Sequence, residues 1–267
     1  MTKYTPEAVA TPSPGRSAVR ARESDLTLAA AGARRALQAL SRPAGAFDAS
    51  RYFRGDHGLA FYNVGTRPLR ALARSIHDEH RDRWTVDDAM AFAELLLPDA
   101  HLEAKGVGIE VVARYRRSFR PPLLERWKRW LARNHCANWA TTDAVCGSLI
   151  GPLLLQHPEL AARLSAWSTH RNLWVRRASV VGLIPLARTG GALDVLYANA
   201  LRLHGDPHDL IEKAVGWALR EAGKTDPRRL ERYLRDRGPK IPRTTVRYAI
   251  ERFPAGKREA LLRVTKG

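Results

Sequence analysis

The sequence reads TDAVCGSLI at residues 142–150, and a similar helical pattern returns as RRASVVGLI at 176–184 and EKAVGWAL at 212–219. Asp143, Arg177 and Lys213 take equivalent positions in the three segments, 34 and 36 residues apart, and each is followed by alanine. Periods of this length, with two helices per repeat, are typical of helical solenoids. Because similarity outside these windows is poor, a chance alignment of alanine-rich helices is the alternative explanation.

The rest of the chain supports the repeat interpretation. From about residue 24 onward apolar residues recur at helical spacing, and no long stretch alternates as a strand would. Thr85 with Asp88 forms a capping-box pattern, and Asp206-Pro207 and Asp226-Pro227 each combine a cap residue with a proline suited to the first turn of a helix. We therefore predict an all-α, right-handed solenoid of HEAT-like repeats with a concave basic groove.

Composition bounds the domain organisation and the partner. The 267 residues include 45 Lys and Arg against 27 Asp and Glu, a net charge of +18. Such an excess favours a polyanionic partner, nucleic acid ahead of an acidic membrane surface. The 45% hydrophobic fraction argues against wholesale disorder. Residues 1–23 are rich in Pro, Ser, Thr, Ala and Arg without periodicity, which predicts a flexible basic tail before a single domain at 24–267.

Other classes of protein are disfavoured. Two cysteines, Cys136 and Cys146, exclude a disulfide framework and a four-cysteine zinc site. They fall in one helix-like stretch, where a mutual disulfide is not expected, as suits a reducing compartment. There is neither an apolar run near the length of a membrane span nor a signal-peptide core. We expect a cytoplasmic, nucleoid-associated protein.

Polar residues interrupt the apolar rows of the repeats. Trp139 and Asp143 are four residues apart and share a helix face, which continues through apolar Cys146. An aspartate in such a row must be paired, partly solvated or functional, because burying a lone carboxylate is costly. Arg177 sits likewise in an apolar row, so a salt bridge between Asp143 and Arg177 is the structural alternative to a functional site.

A basic stripe follows one helix pair later, formed by Lys213, Trp217, Arg220 and Lys224. Each tryptophan taken alone could be core, but the residues share one repeat-equivalent surface, and this favours a site. Arginines in a groove engage phosphates without reading sequence. Tryptophans can pack on a sugar or on a cationic base. A carboxylate among them can stabilise an oxocarbenium-like sugar and orient water for attack.

Three segments carry a resemblance to a known family: NWATTD (138–143), LWVRRAS (173–179) and IEKAVGWALRE (211–221). They resemble the AlkD-type family of bacterial alkylpurine DNA glycosylases, also called DNA alkylation repair proteins, which are built from HEAT-like repeats. The run K-A-x-G-W-A-L-R-E is the most diagnostic and the W-x-x-x-D pair comes next. The similarity extends from about Tyr52 to near the C-terminus.

The resemblance implies roles for individual residues. Asp143 is expected to be the catalytic carboxylate, with Trp139 and Trp217 as aromatic walls against the deoxyribose of the lesion. Arg177 and Arg220 are expected to hold the phosphates beside it. The tripeptide Ala140-Thr141-Thr142 is smaller and more polar than is usual in the family, which leaves the size of the substrate open.

Two basic residues have more than one interpretation. Arg176 is adjacent to Arg177 and could be the phosphate contact in its place, although the apolar-row argument favours Arg177. Lys213 is expected to contact phosphate, although an amine there could in principle attack the sugar carbon and make the enzyme a lyase.

The resemblance implies a monofunctional, monomeric glycosylase of base excision repair that needs neither metal nor cofactor. Its substrates would be N3- and N7-alkylated purines in double-stranded DNA, such as 7-methylguanine, 3-methyladenine and bulky adducts. These bases are cationic and leave without protonation. The competing hypotheses are a non-catalytic HEAT-like protein that binds DNA by its structure or damage, and a scaffold whose charge attracts an acidic protein.

Overall fold

The computed structural model describes residues 15–43, 45, 48–53 and 58–266. Within these ranges the regular structure is helical, apart from a single parallel β-bridge between Ala60 and His101. The α-helices are α1 (Arg16–Leu40), α2 (Thr66–His80), α3 (Val86–Leu96), α4 (Leu102–Arg114), α5 (Leu123–Ala132), α6 (Trp139–Val145), α7 (Gly151–Gln156), α8 (Leu173–Val181), α9 (Ile184–Ala187), α10 (Leu193–Leu203), α11 (Asp209–Ala222), α12 (Pro227–Arg237), α13 (Arg243–Ala249) and α14 (Ala255–Val264). The 3-10 helices are Ala49–Tyr52, Arg116–Ser118, Pro158–Thr169 and Gly238–Lys240. The predicted all-α class is confirmed.

The helices form two layers of a helical repeat solenoid. In the inner layer α2, α4, α6, α8, α11 and α13 follow one another, each packed against the next. In the outer layer α3 packs against α4, α10 lies against α8, α11 and the 3-10 segment Pro158–Thr169, and α12 lies between α11 and α14. Each inner helix between α2 and α13 therefore has inner-layer neighbours on both sides, which buries its apolar face and aligns its remaining face with those of the other inner helices.

The repeat register is visible in the caps of the inner helices. Asn138, Asn172, His208 and Pro242 are the N-cap residues of α6, α8, α11 and α13, at intervals of 34, 36 and 34 residues. The first two intervals equal those of the sequence repeat. The side chains of Asn138 and Asn172 each accept a hydrogen bond from a backbone N–H in the first turn of the helix that follows. The predicted repeat is confirmed, and α13 is a further copy that the sequence comparison did not contain.

The predicted helix starts are largely correct. Thr85 and Asp88 form a capping box at the start of α3, and Asp226 caps α12 with Pro227 in its first turn. The expected start at Asp206-Pro207 is wrong by two residues, because α11 begins at Asp209 after its N-cap residue, His208. Asp206 instead accepts a hydrogen bond from the backbone N–H of His208.

The first helix begins inside the stretch predicted as the N-terminal tail, residues 1–23. Helix α1 begins at Arg16, so residues 16–23 are helical, and residues 1–14 lie outside the described part of the chain. The helix packs against α2, α3 and α4, with Leu26 buried and the Arg22 guanidinium paired with the buried carboxylate of Asp88. These contacts tie α1 to the domain. The sequence did not predict them, because the first turns of the helix have no apolar periodicity. No helix in the described ranges has the length and apolar character that a membrane span requires.

A π-helical turn follows α6. Residues Cys146–Ile150 form this turn and lead directly into α7, so that α6, the π-turn and α7 make one continuous rod. Cys146 lies in the turn, whereas Cys136 precedes α6, so the expectation that both share one helical stretch is wrong. Both thiols are free and buried. Such single-turn bulges often occur at functional sites, and this one starts directly after the last turn of α6, which carries Asp143.

Candidate functional site

A cleft of about 960 Å³ opens on the inner layer, between the 3-10 helix Ala49–Tyr52 and helices α6, α8, α11 and α13. Its aromatic lining consists of Tyr52, Phe53, Trp139, Trp174, Trp217 and Tyr248. The arginine and lysine side chains that line it are Arg51, Arg177, Lys213 and Arg220. The inner-layer helices of successive repeats supply most of these residues, and the solenoid itself therefore brings aromatic rings and cations into one depression.

Trp139 stands at the first position of α6, and a loop from far earlier in the chain holds it. Its ring stacks on Phe53 at 5.3 Å between centroids and an interplanar angle of 20°. Its indole Nε1–H donates to the backbone oxygen of Tyr52 over 3.3 Å. The stack fixes the plane of the ring, and the hydrogen bond fixes the direction of its N–H. The half-buried indole therefore keeps one orientation at the wall of the cleft.

Asp143 lies one turn further along α6 and is paired with Arg177. The guanidinium of Arg177 donates from Nε to Oδ1 over 2.8 Å and from Nη2 to Oδ2 over 2.9 Å. The Asp143 side chain keeps 17% of its surface exposed and that of Arg177 keeps 6%. Arg177 lines the cleft and Asp143 lies directly behind it, so the salt bridge that the sequence left open as an alternative is present in the structure.

Arg177 also connects two repeats. Its Nη1 donates to the backbone oxygen of Leu210 in the first turn of α11, while Nε and Nη2 serve Asp143 on α6. One guanidinium of α8 thus bridges the helices on either side of it. Such a bidentate pair is rigid as well as strong, because both hydrogen bonds share one planar fork.

The pair changes the electrostatics of the carboxyl group. Burial raises the pKa of Asp143 above its usual value, because removal from water disfavours the charged form, and the two hydrogen bonds from Arg177 oppose this shift. A carboxylate in this position acts in surroundings with little water, where its charge is felt more strongly than at the surface.

The other cations of the cleft have carboxylate partners as well. Lys213 donates to Asp209 Oδ2 over 2.7 Å, one turn earlier on α11. Arg220 forms an ion pair with Glu251, beyond the end of α13, and its Nε lies 3.4 Å from Glu221 Oε1. These side chains line the cleft, and carboxylate groups already neutralise part of their positive charge.

Arg176 lies elsewhere and does not line the cleft. Its Nε donates to Asp206 Oδ2 over 2.6 Å, and its Nη1 donates to the backbone oxygens of His170 and Arg171. With its guanidinium committed to this internal network, Arg176 is not retained as a phosphate contact. Trp139, Arg177, Lys213, Trp217 and Arg220, in contrast, meet in one cleft as the sequence predicted, with Asp143 behind Arg177.

Sequence reasoning missed several residues of the lining. Trp174 lies three residues before Arg177 and therefore shares its helix face, a signal that was present but unused. Tyr248 belongs to α13, the repeat that the sequence comparison did not contain. Tyr52 and Phe53 come from a segment far earlier in the chain. The hydrogen bond from Trp139 to Tyr52 joins residues 87 positions apart, and no periodicity predicts such a contact.

The described residues contain no group of three or more His, Cys, Asp or Glu side chains placed to hold a metal ion.

The comparisons with known proteins identify the family. A solved structure from Enterococcus faecalis, described as a predicted DNA alkylation repair enzyme, superimposes with a TM-score of 0.69 at 19% identity, over 77% of this chain and 93% of that one. A protein of Streptococcus mutans UA159, smu.31, aligns with a TM-score of 0.47 at 12% identity, over 74% of this chain and 97% of its own. No curated protein sequence matches the chain. The model of the family described as DNA alkylation repair enzyme matches residues 33–253, and the chain therefore belongs to that family.

Proposed function

We propose that the chain is a monofunctional DNA glycosylase of the AlkD type, which hydrolyses the N-glycosidic bond of purines made cationic by alkylation at N3 or N7. The observation that carries the proposal is the position of Asp143, which keeps 17% of its side chain exposed and is paired with Arg177, a residue that lines a cleft walled by Trp139, Trp174 and Trp217. Membership of a DNA alkylation repair family supports damaged DNA as the substrate.

The proposed reaction breaks the bond between C1′ of the deoxyribose and the purine nitrogen. The bonding electron pair leaves with the base, which thereby loses its positive charge and needs no proton. Positive charge develops on the sugar, and the carboxylate of Asp143 stabilises it. Water, oriented by a hydrogen bond that Asp143 accepts, adds to C1′ and releases one proton to the solvent, which yields an abasic site.

The tryptophans and cations position the substrate in this proposal. Flat indole rings pack against the deoxyribose and favour a sugar that becomes cationic. Lys213 and Arg220 contact phosphates, which fixes the register of the duplex without reading its sequence. The phosphate role of Lys213 is preferred to an amine nucleophile, because its side chain is 41% exposed and its Nζ is already ion-paired with Asp209. All of these contacts are made to the deoxyribose and the phosphates, and none is made to the damaged base. Bulky adducts on the base are therefore expected substrates.

The decisive experiment measures free base released from duplex DNA that contains 7-methylguanine. We expect release by the wild type and a loss of about a hundredfold or more in Asp143→Asn, the scale on which removal of one electrostatic stabiliser acts. Affinity for DNA should be retained or improved in this variant, since a negative charge beside phosphates is removed.

Asp206→Asn is the matched control. Asp206 also belongs to a largely buried aspartate–arginine pair, with Arg176, but lies outside the cleft, so its variant reports the effect of breaking such a pair on folding alone. Equal release by Asp143→Asn and wild type would remove Asp143 from the mechanism. Binding without release from methylated or bulky lesions would favour the non-catalytic DNA-binding protein.

A further inference from the structure

A buried carboxylate beside the cleft holds cations that the proposed reaction does not use. Glu221, the last residue of the motif K-A-x-G-W-A-L-R-E, has only 2% of its side chain exposed. Its Oε2 accepts from Arg188 Nε over 2.8 Å and from Lys224 Nζ over 2.7 Å. Its other oxygen, Oε1, lies 3.4 Å from Nε of Arg220. Three positive side chains therefore converge on one negative group.

The charges of this cluster do not cancel. Burial alone would raise the pKa of Glu221, but the hydrogen bonds from Lys224 and Arg188 outweigh it and hold the pKa below its usual value, so the carboxylate is ionised. One negative charge faces three positive ones, and Glu251 on Arg220 supplies only one more. The side chains of Arg188 and Lys224 stay 51% and 45% exposed. Two cations are thus held side by side with their outer faces in water.

The cluster borders the cleft. Lys224 follows α11 and continues the basic stripe that runs through Lys213, Trp217 and Arg220. Arg188 follows α9 in the preceding repeat, so that Glu221 joins cations of two successive repeats. Arg220 belongs to both sets, since it lines the cleft and lies against Glu221. Through their shared partner Glu221, Arg188 and Lys224 are therefore held next to Arg220, the proposed phosphate contact.

We propose that Arg188 and Lys224, positioned by Glu221, form a second phosphodiester-binding site for duplex DNA at the rim of the cleft, next to Arg220. The inference rests on the proposed DNA-repair function and extends its footprint beyond the lesion. Glu221 acts as a positioning residue: it orients the two cations while its own charge stays shielded from the phosphates.

The chain contains a matched cluster that should not bind DNA in this way. Glu231 on α12 also accepts from one arginine and one lysine, Arg235 and Lys257, whose side chains are 44% and 40% exposed. Neither of these cations lines the cleft or contacts a residue of the stripe. Neutralising them removes the same charge, from side chains of similar exposure, at a different place.

The test compares Arg188→Gln/Lys224→Gln with Arg235→Gln/Lys257→Gln in binding to undamaged duplex DNA at several salt concentrations. Each phosphate contact contributes about 0.9 to the slope of log K against log salt. We expect the first double variant to lose nearly 2 from the magnitude of this slope and to bind about tenfold more weakly near 0.1 M salt. We expect the second double variant to change the slope by clearly less than about 0.9, the contribution of one phosphate contact. Equal behaviour of the two double variants would overturn the proposal.

A single variant and the release of base by the wild type complete the test. Lys224→Gln leaves Arg188 on Glu221 and should show about half of the slope change, so the proposal stays testable if the double variant unfolds early. A wild type that binds and shows these slopes but releases no base would overturn the glycosylase and leave the phosphate site standing.

Discussion

At the scale of single residues, the pairing of Asp143 with Arg177 places the charge of the proposed catalytic carboxylate under the control of a neighbouring cation. The two hydrogen bonds from Arg177 oppose the rise that burial causes in the pKa of Asp143. An arginine that only held a phosphate would affect binding, whereas this arginine also sets how much of the carboxyl group is ionised. The two roles can be separated by pH.

Replacing Arg177 by glutamine removes the opposing charge and should raise the pKa of Asp143 further. In the proposed mechanism base release requires the ionised carboxylate, so the rate is expected to fall as pH drops through this pKa. The acid limb of the single-turnover pH profile should therefore move to higher pH in Arg177→Gln. Arg220→Gln, which has no contact with Asp143, should weaken DNA binding and leave the limb in place. If both variants leave the limb in place, Arg177 acts on phosphate alone.

Most residues of the candidate site were accessible to sequence reasoning because helical spacing encodes a shared face. Trp139 with Asp143, and Lys213 with Trp217 and Arg220, could be assembled from intervals of three and four residues. The ion pair between Asp143 and Arg177 could be foreseen only as an alternative, because spacing gives the face of a helix and not the partner across it. The stack of Phe53 on Trp139 depends on the path of a non-helical segment, for which the sequence holds no periodic signal.

At the scale of elements, the approach of α11 to α13 depends on a glycine. A Cβ atom at Gly216 would lie 2.5 Å from Cβ of Tyr248 and 2.7 Å from the backbone oxygen of Thr245. Both distances are shorter than packed atoms tolerate, and neither neighbour is the free end of a flexible side chain. The glycine therefore allows the last repeat to close against α11 and brings Tyr248 to the cleft.

The variant Gly216→Ala should separate the two helices. We expect a loss of about 1–3 kcal/mol in the free energy of unfolding, the usual cost of overpacking a tight interface. Urea denaturation measures it. Gly147→Ala is the control, because a Cβ atom there meets nothing within 4 Å and alanine is the better helix former by up to about 1 kcal/mol. Equal stability of the two variants would show that the interface adapts, and the closeness of α11 and α13 would then not depend on Gly216.

Two of the three helix starts predicted from cap residues agree with the structure, whereas the pattern at Asp206-Pro207 precedes the N-cap residue of α11 by two positions. Thr85 with Asp88 and Asp226 with Pro227 are local signals, and the structure agrees with both. The start of α1 has no such signal: its N-cap residue, Gly15, makes no side-chain hydrogen bond, and contacts with distant helices hold the segment. The α13 repeat escaped detection because only the interval to its N-cap residue, Pro242, is kept, while most of the side chains differ.

At the scale of the whole molecule, the net charge of +18 attracts DNA to the entire surface, so charge alone does not explain a binding site. The arginines and lysine that line the cleft all have carboxylate partners: Asp48 for Arg51, Asp143 for Arg177, Asp209 for Lys213 and Glu251 for Arg220. A phosphate that binds there replaces a carboxylate as well as salt ions. The cleft therefore favours a ligand that offers phosphates at several of these positions together over a scattered polyanion.

Glu251 is the partner that tests this exchange, because it is half exposed and paired with Arg220, which lines the cleft. Glu251→Gln should free the guanidinium and raise the affinity for duplex DNA by up to about fivefold, the equivalent of the ~1 kcal/mol that an exposed ion pair contributes. Glu231→Gln adds the same charge on α12, outside the cleft, and should raise the affinity much less. Titrations of both variants at one salt concentration measure the difference. The same gain in affinity in both variants would mean that the net charge of the protein, and not the exchange of a carboxylate for a phosphate at Arg220, determines its affinity for DNA.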